Sequence, residues 1–149
     1  MNKDIQIEIV NDVDRIEQVL LMFENYFPRP LSERVDSLRD YAQKLADKAV
    51  VVVSSLEKKT IGYAAFYCND QLTKHAFFTA IAIDNNYKGQ GIASALLDFC
   101  FDYMKQKGMV KIVGEVDNIN SASLKISKRH GFVVTGKATD CSVFIEKIL

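Results

Sequence analysis

Two glycines lie where an apolar, strand-like segment gives way to a helical pattern. Gly89 and Gly91 follow the apolar residues Thr79 to Ile83 and the polar turn residues Asp84 to Tyr87 with Lys88. Apolar side chains then recur at helical spacing, at Ile92, Leu96, Phe99 and Tyr103. Glycine lets a ligand approach the backbone closely, and the first amides of a helix have no partner within it. These amides lie at the positive end of the helix dipole, so the pattern predicts a site for an anion such as pyrophosphate.

Three other interpretations of the glycines compete with an anion site. An ordinary loop before a helix fits the same residues, because short motifs match by chance. A Walker P-loop is excluded because no Gly-Lys-Ser or Gly-Lys-Thr follows the glycines. A dinucleotide-binding fingerprint fits poorly, since Ser94 occupies the position of its third glycine or alanine and the chain is short for that fold. The glycines alone do not distinguish an ordinary loop from a phosphate-binding site.

The glycine segment resembles a known cofactor signature. Lys88 to Ala93, with the sequence KGQGIA, is similar to the acyl-CoA-binding signature of the GNAT family of N-acetyltransferases. That signature has Gln or Arg, two free positions, Gly, one free position, and Gly or Ala. Gly91 and Ala93 fit, whereas Lys88 keeps the positive charge but lacks the planar fork of arginine. The departure is mild because backbone amides provide most of the phosphate contacts in this family.

A second block strengthens the resemblance. The segment 115–132, with the sequence EVDNINSASLKISKRHGF, resembles the later family motif, in which a strand is followed by an Asn, a helix and a closing Gly-Phe. The matching positions are Asn120, Ser123, Ile126, Gly131 and Phe132. Two motifs in family order are less expected by chance than one, and together they cover about half of the chain.

The resemblance implies a place for acetyl-CoA. In the family, the strands that match 79–84 and 111–116 part, and pantetheine lies in the gap along the first of them. The implied cofactor-binding residues are Ile81, Ala82 and Ile83 for pantetheine and the acyl oxygen, Lys88, Gly89, Gln90, Gly91, Ile92, Ala93 and Ser94 for pyrophosphate, and Asn120 and Ser123 from the next helix.

The chemistry of the thioester identifies two candidate catalytic residues. An amine must lose a proton before it attacks a carbonyl, and Glu115 matches a glutamate that related ribosomal-protein N-acetyltransferases use as a base. A solvated or ion-paired strand carboxylate is the alternative. Ser127 stands where the family commonly carries a tyrosine acid. A serine is too weak an acid to replace it, although it can orient a water molecule. Possible substitutes are Tyr63, Tyr67 and Tyr87.

The acceptor is the least defined part of the prediction. In the family it is bound by the first two helices, the loop between them and the hairpin before the cofactor strand. Arg29 and Arg34 would meet a carboxylate or phosphate, and Tyr67 and His75 are candidate contacts. The segment FPRPLSERV weakly resembles acetyltransferases encoded among bacterial surface-polysaccharide genes, which favours an amino sugar. A protein N-terminus or lysine, and a non-catalytic acyl-CoA-binding module, remain alternatives.

Composition sets broader limits. The 149 residues are 48% hydrophobic, with 19 basic and 19 acidic side chains. We expect one α/β domain over residues 1–149, in the cytoplasm, as a monomer or homodimer. No basic stripe indicates a nucleic-acid partner, and no apolar run is long enough for a membrane. The three cysteines favour neither disulfides nor a metal site, so we expect no metal.

The candidate site residues need particular strands and helices to position them. The sequence pattern predicts the order β-α-α-β-β-β-α-β-α-β-β, and the resemblance implies that these elements form a GNAT-like domain with a central mixed, mostly antiparallel, twisted sheet of six to seven strands and about four helices. The predicted strands cover 5–10, 49–55, 61–67, 76–84, 111–116, 133–136 and 142–147. The predicted helices cover 13–26, 31–46, a segment that starts at the glycine turn, and 121–130. Ser32 is the predicted N-cap of the second helix.

Overall fold

A computed structural model describes residues 4–149. The strands are Ile5–Val10 (β1), Val50–Leu56 (β2), Lys59–Tyr67 (β3), His75–Ile83 (β4), Lys111–Asp117 (β5), Val133–Thr139 (β6) and Ser142–Ile148 (β7). They form one seven-stranded sheet in the order β1-β2-β3-β4-β5-β7-β6. Only the β4–β5 pair is parallel, because a helix crosses over between these two strands, and the other neighbours are antiparallel. The predicted order of elements is confirmed.

Four helices cover the sheet, namely Val13–Met22 (α1), Leu38–Lys48 (α2), Ile92–Gln106 (α3) and Ser121–Arg129 (α4). Asp12 caps α1 by accepting from the amide of Asp14, and Ser37 caps α2 by accepting from the amide of Asp40. None of the helices within residues 4–149 combines the length and apolarity needed to cross a membrane.

The two faces of the sheet carry different cores. On one face, α3 buries a stripe of apolar side chains, including Leu96, Cys100 and Met104, against β1 to β4. On the other face, α1 and α2 pack on β2 and β3, with Ile16 and Leu45 almost fully buried. Each buried aliphatic side chain contributes about 1.5–3 kcal/mol relative to its exposed form. These two layers hold the sheet rigid on both sides of β4.

The predicted boundaries between α1 and α2 are wrong. The α1 helix ends at Met22, and residues 24–26 form a separate 3-10 turn. Ser32 is not an N-cap, since residues 31–33 form another 3-10 turn and α2 begins at Leu38. Tertiary contacts replace the expected helix here, because the amide of Ser32 donates to the Glu24 carboxylate (3.1 Å). The loop from 23 to 37 therefore remains available to cover part of the sheet.

Candidate active site

A gap opens where β4 and β5 stop pairing. Their parallel ladder runs only from His75 opposite Lys111 to Phe78 opposite Gly114. Next to its end, Thr79 is an extra residue in β4, because Phe78 pairs with Phe66 but Ala80 pairs with Ala65. Such a bulge bends a strand and increases its twist. The β5 side of β4 beyond Phe78 therefore faces a gap instead of a neighbouring strand.

The glycine turn lies just beyond the end of β4. Gly89 and Gly91 have φ values of +80° and +78°, which side-chain-bearing residues rarely adopt. A Cβ atom built on either glycine would have no heavy atom within 4 Å, so the space in front of the turn is open. Gly91 is the N-cap of α3 and no side chain caps its amides. The first amides of α3 are therefore left for a ligand.

A cavity of about 340 Å³ occupies the gap between the parted strands. Residues 79–81 of β4 and 115–117 of β5 form two of its walls, and residues 27–31 of the loop between α1 and α2 form a third. The first turns of α4 close the remaining side, through Asn120, Ser123 and Ser127. This arrangement leaves backbone groups of β4 on one side of the cavity and charged side chains on the other.

On the α4 side, the predicted cofactor residues already bond to each other. Asn120 is the N-cap of α4, and its Oδ1 accepts from the amide of Ser123 (3.1 Å). The side-chain oxygen of Asn120, Oδ1, thus orders the start of α4, while the side-chain nitrogen, Nδ2, can still donate to a ligand. Ser127 lies one turn further along the helix and is half-buried.

Ser94 in the first turn of α3 is linked to the end of α4. Its hydroxyl lies 2.9 Å from Nε2 of His130, and Nδ1 of the same ring lies 2.8 Å from the carbonyl oxygen of Ile126. A carbonyl can only accept, so Nδ1 carries the proton and Nε2 of the neutral ring accepts from Ser94. The Ser94 hydroxyl is therefore engaged with His130, and its backbone amide is the group that faces outward from the helix start.

Glu115 and Asp117 lie on the same face of β5, since alternate residues of a strand share a face. The hydroxyl of Ser142 donates to Oε2 of Glu115 (2.5 Å), and the Ser142 hydroxyl also lies 2.8 Å from that of Thr139. Asp117 forms an ion pair with Arg29 from the loop between α1 and α2. The two carboxylates are thus held in different ways, one by a hydroxyl and one by a guanidinium.

Arg34 belongs to the same wall as Arg29. Its Nε donates to the carbonyl oxygen of Arg29 (3.1 Å). Burial raises the pKa of Tyr63, which is 2% exposed, and the charge of Arg34 acts on that pKa in the opposite direction. Burial also raises the pKa of Tyr41, and the charge of Arg34 again opposes the effect. Both phenols therefore stay protonated near a cation at neutral pH.

The cavity brings together seven of the eighteen predicted site residues, and none of the seven from Lys88 to Ser94 lines it. The cavity is lined by Glu115, Ser127, Asn120, Ser123, Arg29, Arg34 and Ile81. The turn from Lys88 to Ser94 follows β4 directly, although the Lys88 ammonium lies over the ring of Tyr26, 5.3 Å from its centroid. Ala82 and Ile83 do not line the cavity, because their side chains are buried in the two cores, and only the backbone edge of β4 remains for the predicted contact.

Tyr67 and His75 lie outside the cavity. His75 pairs with Lys111 at the end of β4 where the parallel ladder is intact, away from the gap. Tyr67 pairs with Phe77, and the ammonium of Lys44 lies 5.9 Å from its ring centroid. Both residues are therefore separated from Glu115, and we leave them out of the proposed site. Of the three substitute tyrosines, only Tyr63 lines the cavity, whereas Tyr87 lies under Lys59.

Sequence reasoning missed several residues of the site. Ser142, Asp117 and Tyr41 line the cavity, and His130 supports the glycine turn. His130 had a visible signal, because it directly precedes the Gly-Phe of the second motif. Ser142 had none, since it meets Glu115 only because β7 inserts between β5 and β6.

Comparisons with known proteins agree with this geometry. The family model described as the acetyltransferase (GNAT) family matches residues 16–132. N-alpha-acetyltransferase 30 of Schizosaccharomyces pombe is 37% identical over 60 residues, which are 40% of each protein. The chain thus spans about two fifths of the length of this curated relative.

Solved structures share the whole fold. The PaiA N-acetyltransferase of Thermoplasma acidophilum, in complex with coenzyme A, aligns with a TM-score of 0.79 and 15% identity over 98% of this chain and 99% of its own. The ribosomal-protein-S18-alanine N-acetyltransferase of Escherichia coli aligns with a TM-score of 0.75 and 18% identity, covering 97% and 93%. Because the family model covers most of the chain, the protein belongs to the GNAT acetyltransferase family.

Proposed function

We propose that this protein transfers an acetyl group from acetyl-CoA to a primary amine on a small molecule. One observation carries the proposal: the strand that borders the gap, β4, leads within eight residues to an uncapped helix start with two glycines of positive φ, and Leu97 of that helix lines the cavity. The gap and the helix start together suit a ligand that is extended at one end and carries phosphates at the other.

The residues present fit coenzyme A. The backbone amides from Lys88 to Ser94 would hold the pyrophosphate, and open space in front of Gly89 and Gly91 leaves room for it. The exposed edge of β4 from Thr79 to Ile83 would pair with pantetheine as an added strand does. Asn120 and Ser123 would contact the cofactor from α4. When bound, acetyl-CoA supplies a thioester carbonyl that an amine can attack.

The amine must lose a proton at the acceptor end of the cavity. Alkylamines are mostly protonated at neutral pH, so attack requires a group that takes a proton from nitrogen. Glu115 lines the cavity, and we propose that it takes this proton directly or through one water molecule. The nitrogen then forms a bond to the acyl carbon, and the carbon–sulfur bond breaks. The nitrogen, which gave its first proton to the base, loses a second proton to solvent and becomes the amide nitrogen.

Two further charges develop and need partners. A backbone amide of β4 at the gap would stabilise the negative charge on the acyl oxygen, which an oriented donor can do by about 3 kcal/mol. The departing thiolate needs little help, because a thiol has a pKa of about 8.5. Ser127 lines the cavity and would orient the water that protonates the sulfur. The absence of a tyrosine at this position is thus compatible with turnover.

The loop beside the cavity favours a small acceptor. The loop between α1 and α2 reaches across to β5, where Arg29 pairs with Asp117, and so covers one side of the cavity. An amino sugar, as the sequence suggested, is one candidate. The relatives named as N-alpha-acetyltransferase and ribosomal-protein-alanine N-acetyltransferase favour a second candidate, the N-terminus of a peptide.

Turnover with a panel of amines tests the proposal. Purified protein would be incubated with acetyl-CoA and amino sugars, polyamines, amino acids or peptides, and free thiol would be measured over time. We expect amine-dependent thiol release with at least one small amine. If acetyl-CoA raises the melting temperature but no amine in the panel causes release, the protein is a binding module and the proposed activity is wrong.

A further inference from the structure

The charged side chains of the cavity do not all neutralise one another. Four of its lining residues carry charge, namely Arg29, Arg34, Glu115 and Asp117. Arg29 and Asp117 form an ion pair, so their charges largely cancel. Arg34 and Glu115 then remain as one positive and one negative group.

Neither remaining group has an ionic partner within residues 4–149. The ion pairs found there do not include Arg34 or Glu115. Glu115 accepts only from the neutral hydroxyl of Ser142, and Arg34 uses only its Nε, on the carbonyl oxygen of Arg29. The two terminal nitrogens of the Arg34 guanidinium are therefore left to bind a ligand.

Arg34 and Glu115 lie at the two ends of a series of contacts among the residues that line the cavity. Asp117 lies two residues beyond Glu115 on β5, about 7 Å away at the usual rise of a strand. Arg29 bridges from Asp117 to the loop, and Arg34 contacts the backbone of Arg29. Arg34 is thus connected to Asp117 through Arg29, and among the described residues no hydrogen bond or ion pair joins it to Glu115. The phenols of Tyr41 and Tyr63 line the cavity as well and add neutral donors.

We propose that the acceptor is a primary amine that carries an anionic group, a carboxylate or a phosphate, on the same molecule. This inference rests on the proposed function. The amine lies toward Glu115, and the anionic group binds the terminal nitrogens of Arg34. A guanidinium presents parallel N–H donors that match the oxygens of carboxylate and phosphate. A peptide N-terminus or a neutral amino sugar would leave Arg34 without a partner.

Matched pairs of amines test this inference and distinguish the two anions. Glucosamine 6-phosphate is compared with glucosamine, and γ-aminobutyrate with butylamine, by thiol release from acetyl-CoA. We expect kcat/KM to be about tenfold or more higher for the anionic member of at least one pair. A preference in the first pair alone indicates a phosphate, and a preference in the second alone indicates a carboxylate.

Variants at two arginines locate the effect. In Arg34→Gln, the ratio of kcat/KM for the anionic amine to kcat/KM for the neutral amine should fall toward one, mainly through a change in KM. Arg34→Lys should restore part of this ratio. Arg39→Gln is the control, because Arg39 pairs with Asp14 and Glu17 outside the cavity and should keep the full ratio.

Three results would overturn the inference. The first is that neutral amines or peptide N-termini are the better substrates, and the second is that Arg34→Gln retains the full preference for the anionic amine. In both cases the acetyltransferase activity itself would stand. Absence of thiol release with every amine would instead contradict the proposed function, and the inference with it.

Discussion

The two halves of the cavity are built from different parts of the chain. The donor half of the proposed site consists mainly of the end of β4, the glycine turn and the start of α3, so most of it comes from one continuous segment, residues 79–94, to which α4 adds Asn120 and Ser123. Most of its ligand-binding groups are backbone amides. The acceptor half consists of side chains from Arg29 to Ser142, carried by a loop, two helices and three strands. One half depends on local backbone conformation, and the other on how distant elements pack.

This difference predicts how each half responds to mutation. A backbone amide survives most side-chain replacements, so the donor half should tolerate truncation except where a glycine conformation is required. An acceptor half built from single side chains should lose its function when one of them is replaced. The following substitutions test this contrast.

Glu115→Gln should have the largest effect on turnover. Loss of a positioned base costs about 10² to 10⁴ in rate, so kcat/KM should fall by that factor while the affinity for coenzyme A stays unchanged. The deficit should shrink as pH rises toward the pKa of the amine, about 10.4 for a lysine-like amine, because solvent then removes the proton. Steady-state kinetics across pH measure this. A parallel loss at every pH would remove Glu115 from proton transfer.

Glu146→Gln is the matched control for Glu115. Glu146 lies on the same face of the sheet, on β7, and pairs with Lys111 outside the cavity lining. Its replacement should cost less than about 1 kcal/mol in stability and leave the pH profile of turnover unchanged.

Gly91→Val should have the next largest effect, this time on the donor. The φ of +78° strains any other residue by about 1–3 kcal/mol, and the valine side chain would project into the open space in front of the turn. Loss of one or two amide contacts to phosphate, at about 3 kcal/mol, should raise the Kd for coenzyme A about 100-fold. Isothermal titration calorimetry measures the Kd.

Gly108→Val separates strain from binding. Gly108 has a similar φ of +84° and similar open space, but it follows the other end of α3. The two variants should lose similar amounts of stability in urea unfolding, whereas only Gly91→Val should lose coenzyme A. Equal losses of binding would show that the donor half depends on overall stability instead of on its turn.

Ser142→Ala should have a smaller effect, confined to the acceptor half. The hydroxyl bond to Glu115 is worth about 1 kcal/mol, so kcat should fall about fivefold without a change in coenzyme A affinity. In the Glu115→Gln background, the same substitution should have little further effect, since both residues act through one carboxylate. An additive loss would indicate that Ser142 acts on something other than Glu115.

Modification of cysteines should have the smallest effect, because no cysteine lines either half. Cys141 is exposed and should react first with a thiol reagent at pH 8, with no change in acetyl transfer. Burial raises the pKa of the Cys100 thiol to about 12, so only about one part in 10,000 is thiolate at that pH. Mass spectrometry of the labelled protein identifies the modified residue. Loss of turnover on labelling of Cys141 would contradict the proposed site.

Much of the fold could be predicted because its signals are short-range. Apolar periodicity defined every strand and helix in order, and the glycine turn was visible in six consecutive residues. The sixth strand was predicted to end at 136 and ends at Thr139, and the larger errors fall between α1 and α2, where Pro28, Pro30 and several candidate caps lie close together. There, a contact between Ser32 and Glu24 decides the local structure, and helix propensity cannot anticipate it.

The sequence by itself determined the glycine turn, since the positive φ of Gly89 and Gly91 and the uncapped start of α3 depend on neighbouring residues. The tertiary structure alone decided the acceptor half. The bulge at Thr79 ends the β4–β5 ladder, the insertion of β7 brings Ser142 to Glu115, and the loop places Arg29 against Asp117. The last two contacts join residues that are 27 and 88 positions apart in the sequence, and they form only when sheet order and packing bring the side chains together.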